Sequence, residues 1–389
     1  MSSPRRQPAT ADRPGRVAPR GSGTVRSRAV RGAAPRSIRR ARRRCHIGGI
    51  PPTGTAAQAR RDRALTTHES PGTAPAASDP PPGSHATLPR WAVLASLAAL
   101  VVVIAWSVTE AGDVVLSIPE AILLGVVEGL TEFLPVSSTG HLTVTQDLLG
   151  LTDTEEAKAA ADSYAIAIQA GAIVAVLGIY RRRISNTVLS VVGRGSDQEA
   201  GRRMAVALTV GFIPAGLTAF LLGDLIKEHL FGIWPVVAAW FVGGVVILLW
   251  PRPDPLRGRA LELITARDAL IIGFAQIIAL WPGVSRSLIV ILACLAIGLS
   301  LAASVEFAFL LGLVTLGIAT LYETFDQGSV IVEEFGIAAP VVGFVAAFLS
   351  AAAAVVWMVS YVQRRGLAVF GWYRIAVALI VAVLALTVL

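Results

Sequence analysis

The sequence is short of charge and of cysteine, and each shortage excludes a class of protein. Asp, Glu, Lys and Arg make up only 15% of the 389 residues, whereas hydrophobic residues make up 54% and the mean hydropathy is +0.65. A chain with so little charge and with several apolar runs close to the length of a bilayer span is not a soluble domain. Its two cysteines, Cys45 and Cys294, are too few for a disulfide framework. We therefore predict an all-α polytopic integral membrane protein.

The first 90 residues differ in composition from the rest of the chain. They contain 18 Arg, no Lys and 4 acidic residues, a net charge of +14, whereas the remainder has a net charge of −6. Because this stretch lacks apolar periodicity, we predict a disordered cytoplasmic tail over residues 1–90. A polybasic tail can bind anionic lipid or nucleic acid, but its composition favours a non-functional extension, and we expect no nucleic-acid partner. Residues 91–117 are predicted to form an extra transmembrane helix and linker, and residues 118–389 the functional membrane domain.

The most polar stretch inside the apolar sequence is EGLTEFLPVSSTGH, residues 128–141. Glu128 and Glu132 are four residues apart, so they lie on one face of a helix. Pro135 ends that helix because it has no N–H and disfavours helical backbone in the residue before it. Candidate caps and reactive groups of a second helix follow: Ser137, Ser138, Thr139 and His141. A helix start presents free N–H groups, so this stretch combines two carboxylates with a place for an anion.

A second copy of this broken helix lies 148 positions later. Residues 120–125, EAILLG, align with residues 268–273, DALIIG, and Ser137 aligns with Ser285. A Pro-Gly pair interrupts the second copy, and Arg286, the only cation in this apolar neighbourhood, follows the interruption. Two broken helices in corresponding positions point to a binding site near the bilayer midplane.

The charges of the connecting segments set the orientation of the predicted spans, which are residues 160–180, 204–222, 234–250, 302–322, 337–361 and 368–389. Arginines cluster after the first, third and fifth spans, whereas residues 323–334, after the fourth, are acidic and contain no cation. With the arginines in the cytoplasm, every span fits only if the two broken segments, about 118–150 and 267–298, each return to the side from which they enter. We therefore predict an inverted-topology repeat with two re-entrant broken helices, the first entering from outside.

This set of residues suits phosphate chemistry. Arg286 can hold two phosphate oxygens at once. The candidate phosphate-binding groups lie near the two helix starts: Ser137, Thr139, Ser285, Arg286 and Ser287. Glu128 and Glu132 would repel a phosphate unless they are protonated or bind a divalent cation, and Mg²⁺ or Ca²⁺ fits such oxygen ligands. Ser138 is the candidate nucleophile, with His141 or Glu132 as its base, while direct attack by water or by His141 stays open.

Residues 128–142, EGLTEFLPVSSTGHL, and residues 282–287, PGVSRS, resemble the two signature motifs of the undecaprenyl-diphosphate phosphatase family of the bacitracin-resistance type. Shorter similarities lie at residues 168–171, 213–214, 306–311 and 373–374. The resemblance covers about residues 118–389. It implies a cell-membrane enzyme that removes the terminal phosphate from a C55 polyprenyl diphosphate at the outer face and regenerates the lipid carrier for cell-wall synthesis. The chain departs from the second motif at Leu288, Ile289 and Val290, where the family usually has small residues and a hydroxyl.

Two other functions stay open from the sequence. Inverted repeats with broken helices are also found in transporters, so one alternative is a transporter or flippase of a lipid phosphate. The other is a catalytically silent relative, because of the departure at residues 288–290. A transporter needs a phosphate clamp but no nucleophile or base, which distinguishes it from an enzyme. Contact with membrane lipids is expected in every case, and a homo-oligomer stays open.

Overall fold

The computed structural model describes residues 116–387, apart from 254–256 and from the side chains of 155, 156, 227 and 326–334. The predicted tail and nearly all of the predicted segment 91–117 lie outside the described residues, so both stay predictions. The described part of the chain contains eleven α-helices, two short 3₁₀ helices and no strand, which confirms the all-α class.

The helices follow each other along the chain with short connections. The first broken segment forms α1 (Ile118–Thr131) and α2 (Ser138–Leu148). The next four are α3 (Glu155–Ile179), α4 (Arg181–Val191), α5 (Gln198–Leu230) and α6 (Ile233–Leu249). After a 3₁₀ turn at Leu261–Leu263, the second broken segment forms α7 (Ala266–Gln276), a 3₁₀ turn (Ile277–Leu280) and α8 (Arg286–Ala296). The last three are α9 (Leu301–Phe335), α10 (Ala338–Arg365) and α11 (Ala368–Thr387).

Five of these helices, α3, α5, α9, α10 and α11, are long and apolar enough to cross a membrane. They contain five of the six predicted spans. The sixth, α6, is apolar but has only 17 residues, about 25 Å of helix against a hydrocarbon core of about 30 Å.

The prediction that the acidic residues 323–334 form a loop is wrong. Helix α9 runs without a break to Phe335, and Gly336, with a φ of 60°, follows its last residue. A helix of 35 residues is about 52 Å long. It is therefore longer than the hydrocarbon core and includes the acidic stretch as helix.

The two broken segments follow the same backbone course. Each begins at a capped helix, in which the carboxylate of Glu120 accepts from Ser117 N–H at 2.8 Å and that of Asp268 accepts from Thr265 N–H at 3.0 Å. Each passes into its second helix through a serine in the left-handed region. These serines, Ser137 at φ 73° and Ser285 at φ 71°, are the only non-glycine residues with positive φ in the described part of the chain. L-residues rarely adopt this conformation, so its recurrence at two aligned positions indicates a shared geometry of the break.

The first helix of each broken segment packs against a long helix from the other half of the chain, α1 against α10 and α7 against α5. The aligned glycines Gly125 and Gly273 make both contacts close. A Cβ at Gly273 would lie 2.6 Å from the carbonyl oxygen of Gly211, and one at Gly125 would overlap the carbonyl oxygen of Gly343. Only glycine allows helix backbones to approach this far.

The interruption after α1 leaves three successive carbonyl groups outside regular helix, at residues 134–136. The hydroxyl of Ser287 donates to the carbonyl of Leu134 at 2.9 Å, and Trp240 Nε1 donates to that of Val136 at 2.8 Å. Irregular backbone at membrane depth is tolerated where other protein groups satisfy it. These two bonds, from α8 and α6, therefore tie the first break to distant parts of the chain.

Arg374 on α11 satisfies the third carbonyl and joins the two breaks. Its side chain is fully buried, with 0% of its surface exposed. Nη1 donates to the carbonyl of Pro135 at 3.3 Å, and Nη2 donates to those of Ala239 and Gly283 at 2.9 Å each. One planar guanidinium thus holds the first break, the second break and α6 at fixed separations.

Replacing Arg374 by Lys is expected to lower the free energy of unfolding by about 2–4 kcal/mol, since hydrogen bonds to charged groups are worth about 1.5–3 kcal/mol each and an ammonium lacks the planar fork that spans the three carbonyls. Thermal unfolding of the detergent-solubilised protein measures the loss. Arg267→Lys, at an exposed position on α7, is the matched control. Equal melting temperatures for the two variants would contradict the role of Arg374.

Candidate functional site

The two breaks face a common cleft of about 180 Å³. Its lining comes from both broken segments and from three other parts of the chain, α3, α9 and the turn between α5 and α6. The polar residues among the lining are Glu132, Ser137, Ser138, Thr139, Gln169, Ser285 and Arg286. The sequence thus predicted six of the seven as site residues, and the structure brings those six together although they are up to 154 positions apart.

Glu132 lies at the centre of this group because its two carboxylate oxygens have different partners. Oε1 accepts from Arg286 Nη2 at 2.7 Å, and Oε2 accepts a short hydrogen bond from the hydroxyl of Ser138. Glu132 and Ser138 belong to the first broken segment and Arg286 to the second. One carboxylate therefore sets the positions of a hydroxyl and a guanidinium relative to each other.

Arg286 is held at its other end by α9. Nη1 donates to the hydroxyl of Thr315 at 2.9 Å and to the carbonyl of Gly312 at 3.2 Å. Its Nε is buried and has no hydrogen-bond partner. The guanidinium therefore keeps an unused donor in a side chain that lines the cleft.

The three hydroxyl residues after Pro135 occupy different positions. Ser137 is the N-cap residue of α2, but its hydroxyl makes no capping hydrogen bond. Ser138 is the first residue of α2 and is buried, whereas Thr139 is exposed. The break thus places three hydroxyl residues along the cleft, of which only Ser138 is bonded to Glu132.

The corresponding serines of the second break, Ser285 and Ser287, mainly make hydrogen bonds that hold the local backbone. The hydroxyl of Ser285 accepts from the N–H of Leu288 at 3.3 Å and so caps α8. Ser285 and Ser287 lie 3.0 Å apart, oxygen to oxygen. Since Ser287 donates its proton to Leu134, the proton between the two serines comes from Ser285. Ser285 lines the cleft, whereas Ser287 does not and instead bonds to the first break.

His141 has both ring nitrogens occupied. Nδ1 lies 2.7 Å from the carbonyl oxygen of Ser137, and Nε2 lies 2.8 Å from the hydroxyl oxygen of Tyr373. A carbonyl only accepts, so Nδ1 carries a proton; in the neutral imidazole, Tyr373 then donates to Nε2. Of the two predicted bases for Ser138, the structure places Glu132 in contact with the serine and engages His141 elsewhere, at the strained backbone of Ser137.

Glu128 is almost completely buried, with 1% of its surface exposed, and its Oε1 has no hydrogen-bond partner. The described residues include no group of three or more His, Cys, Asp or Glu side chains placed for a metal ion. Two carboxylates one helical turn apart, one with a free buried oxygen, still fit a hard cation that takes its other ligands from a phosphate and water.

Three supporting residues were not assigned a role from the sequence. Gln169 lines the cleft and its Oε1 accepts from Thr320 at 2.7 Å. Arg374 fixes the breaks, and as a cation inside an apolar run it carried a usable signal. Thr315 gave no such signal, because a single threonine in an apolar helix is common and its contact with Arg286 is visible only in the structure.

Comparison with known proteins adds an independent observation. The family described as bacitracin resistance protein BacA matches residues 121–380 of this chain. The chain belongs to this family. The match confirms the resemblance noted in the two broken segments and covers every residue that lines the cleft.

Individual proteins are also similar to this chain over most of their length. An undecaprenyl-diphosphatase of Sorangium cellulosum is 44% identical over 268 residues, 67% of this chain and 84% of that protein. Undecaprenyl-diphosphatase 2 of Rhodospirillum rubrum is 44% identical over 272 residues, 69% of this chain and 95% of that protein. Undecaprenyl-diphosphatase 1 of Chromobacterium violaceum is 40% identical over 264 residues, 67% of this chain and 94% of that protein. Together with the five apolar helices, membership of the BacA family identifies a multi-pass membrane protein.

Proposed function

We propose that this protein removes the terminal phosphate from undecaprenyl diphosphate, releases undecaprenyl monophosphate as the recycled lipid carrier, and thereby raises resistance to bacitracin. The relatives named as undecaprenyl-diphosphatases support this reaction. The observation that carries it is the carboxylate of Glu132, which joins the hydroxyl of Ser138 to the guanidinium of Arg286. A nucleophile, a base and an anion clamp are thus in contact.

In the first step, the Ser138 hydroxyl oxygen attacks the terminal phosphorus and passes its proton to Glu132. The bond from that phosphorus to the bridging oxygen breaks, and undecaprenyl monophosphate leaves with the bonding electron pair. In the second step, water attacks the phosphoserine and the Ser138–phosphorus bond breaks. Glu132 returns its proton to the serine oxygen, and phosphate departs with both protons of the attacking water. Direct attack by water, with Glu132 as base, is the alternative that leaves Ser138 only a binding role.

Arg286 neutralises charge on the transferring phosphoryl group. Its side chain lines the cleft, so its charge would balance that of a phosphate bound there. The start of α2 adds backbone N–H groups. Fixed donors in a water-poor cleft need no rearrangement when charge moves, which is why such groups accelerate reactions strongly.

A divalent cation, Mg²⁺ or Ca²⁺, belongs to this proposal. Glu128 and Glu132 would hold it, and the buried oxygen of Glu128 without a partner supports the assignment. When bound, the cation would neutralise part of the diphosphate charge.

The proposal also includes the membrane arrangement, an inverted-topology repeat with both broken segments re-entrant and the cleft open to the outer side. The matched backbone of the two breaks and the exchange of partners, α1 with α10 and α7 with α5, support a two-fold relation between the halves. The arginines between α3 and α5, after α6 and at the end of α10 support a cytoplasmic position for these connections.

Single cysteines in a Cys45→Ser background test this arrangement. Ser117→Cys and Asp153→Cys, which flank the first broken segment, are expected to react with an impermeant thiol reagent in intact cells. Ser196→Cys and Arg267→Cys are expected to react only after the membrane is opened. If Ser117→Cys and Asp153→Cys label from opposite sides, the first segment crosses the membrane and the re-entrant arrangement is refuted.

Replacing Arg286 by Lys is expected to lower kcat/KM by roughly 10²-fold, about 2.7 kcal/mol, because the charge stays but the planar fork is lost. The measurement is phosphate release from undecaprenyl diphosphate by the purified protein with Mg²⁺ or Ca²⁺. Arg267→Lys serves as the control. Absence of phosphate release by the unmodified protein would overturn the proposed reaction, and near-normal release by the Arg286→Lys variant would remove the anion clamp.

Replacing Ser138 by Ala is expected to abolish turnover while the free energy of unfolding falls by only about 1–3 kcal/mol, the value of the lost hydrogen bond to the carboxylate of Glu132. Thr143→Ala, farther along α2, is the control. Because groups that act as a unit are not additive, the Glu132→Gln/Ser138→Ala variant should be little worse than the poorer single variant. A folded Ser138→Ala protein with near-normal kcat would favour direct attack by water. Transport of lipid phosphate without hydrolysis would instead indicate the transporter alternative.

A further inference from the structure

The contact between Arg286 and α9 has a defined direction. The hydroxyl oxygen of Thr315 lies 2.9 Å from Arg286 Nη1, 3.0 Å from the carbonyl oxygen of Leu311 and 3.1 Å from that of Gly312. Arginine only donates and carbonyls only accept. The Thr315 proton is therefore directed at a carbonyl of its own helix, and its lone pair faces Arg286.

We propose that Thr315 is a positioning residue that fixes the guanidinium plane of Arg286 for phosphate binding. This inference rests on the proposed function, in which Arg286 clamps the terminal phosphate. Thr315 is not among the described residues that line the cleft, so it acts on the substrate only through Arg286.

Two anchors on opposite ends of the guanidinium are needed to fix its plane. Glu132 holds Nη2 at 2.7 Å from the side of α1, and Thr315 holds Nη1 from the side of α9. Without the Thr315 hydroxyl, Nη1 keeps only the longer contact, 3.2 Å, to the carbonyl of Gly312. With both anchors, the guanidinium keeps one orientation, as a preorganised charged group requires.

Gly312, on the same face of α9, also supports a positioning role for this part of the helix. A Cβ at Gly312 would lie 3.1 Å from Arg286 Nη2, so the absence of a side chain there leaves the space that the guanidinium occupies. Gly312 and Thr315 are one turn apart on α9. They give Nη1 two acceptors, the carbonyl of Gly312 and the hydroxyl of Thr315.

The experiment compares Thr315→Val, which keeps the shape but removes the hydroxyl, with Thr315→Ser, which keeps the hydroxyl. Thr209→Val is the matched control, because Thr209 makes the same bond to its own helix, to the carbonyl of Ala205 at 2.9 Å, on an exposed face of α5. Two quantities are measured: the Kd for inorganic pyrophosphate, from the ligand-dependent shift in melting temperature, and the kcat/KM for undecaprenyl diphosphate.

Thr315→Val is expected to weaken pyrophosphate binding and lower kcat/KM by about tenfold each, the scale of one hydrogen bond to a charged group. Thr315→Ser should recover most of both losses, and Thr209→Val should change neither. In an Arg286→Lys background, Thr315→Val should cost almost nothing further, since the group that it positions is gone.

Equal losses from Thr315→Val in both backgrounds, or no rescue by Thr315→Ser, would overturn the positioning role. So would an unmodified protein that does not bind pyrophosphate. If pyrophosphate binding depends on Thr315 but no phosphate is released from the lipid, the positioning role stands and the proposed hydrolysis fails.

Discussion

A helix that breaks in the apolar interior of a protein depends on partners for the polar groups that the break exposes, because a buried backbone group without a hydrogen bond is costly. In this protein the partners come from distant parts of the chain. Carbonyls of residues 134–136 bond to side chains of α8, α11 and α6. The breaks therefore cannot form locally, and each is held in place only when the helices from both halves have assembled around it.

The same assembly creates the ion pair of the cleft. A buried ion pair is weak evidence for stability, since the cost of removing two charges from water is comparable to their attraction. The pair of Glu132 and Arg286 is better explained by what it aligns. It links the two broken segments, holds the Ser138 hydroxyl through the second carboxylate oxygen, and leaves the Arg286 Nε without an acceptor.

The backbone strain at Ser137 and the packing of His141 fix the shape of the first break, and with it the positions of its hydroxyl residues. Ser137 keeps a positive φ that its side chain does not favour, and its carbonyl is held by His141, which is in turn held by Tyr373 and packed at 4.7 Å, centroid to centroid, from Trp240. Backbone strain at a functional site persists when the surroundings over-determine it. His141 thereby contributes to the cleft through the shape of the break, which is a different role from that of a base for Ser138.

Much of this protein follows from its sequence. The apolar runs predict five long helices correctly, and Pro135 and the 148-residue repeat predict two broken segments. Six of the polar residues predicted at the breaks line the cleft, whereas Glu128, His141 and Ser287 do not. These features depend on local rules: hydropathy, helix termination and the cost of charge in lipid. The sequence did not reveal that α9 continues to Phe335. An acidic stretch can be helical where a helix is longer than the hydrocarbon core is thick. Only the tertiary structure decided that Ser138 contacts Glu132 and not His141, and that Arg286 is held by Thr315. Ser138 and Glu132 are only six positions apart, but no local pattern encodes which of several neighbouring polar groups will share a hydrogen bond. Arg286 meets Glu132 and Thr315 across 154 and 29 positions of the chain.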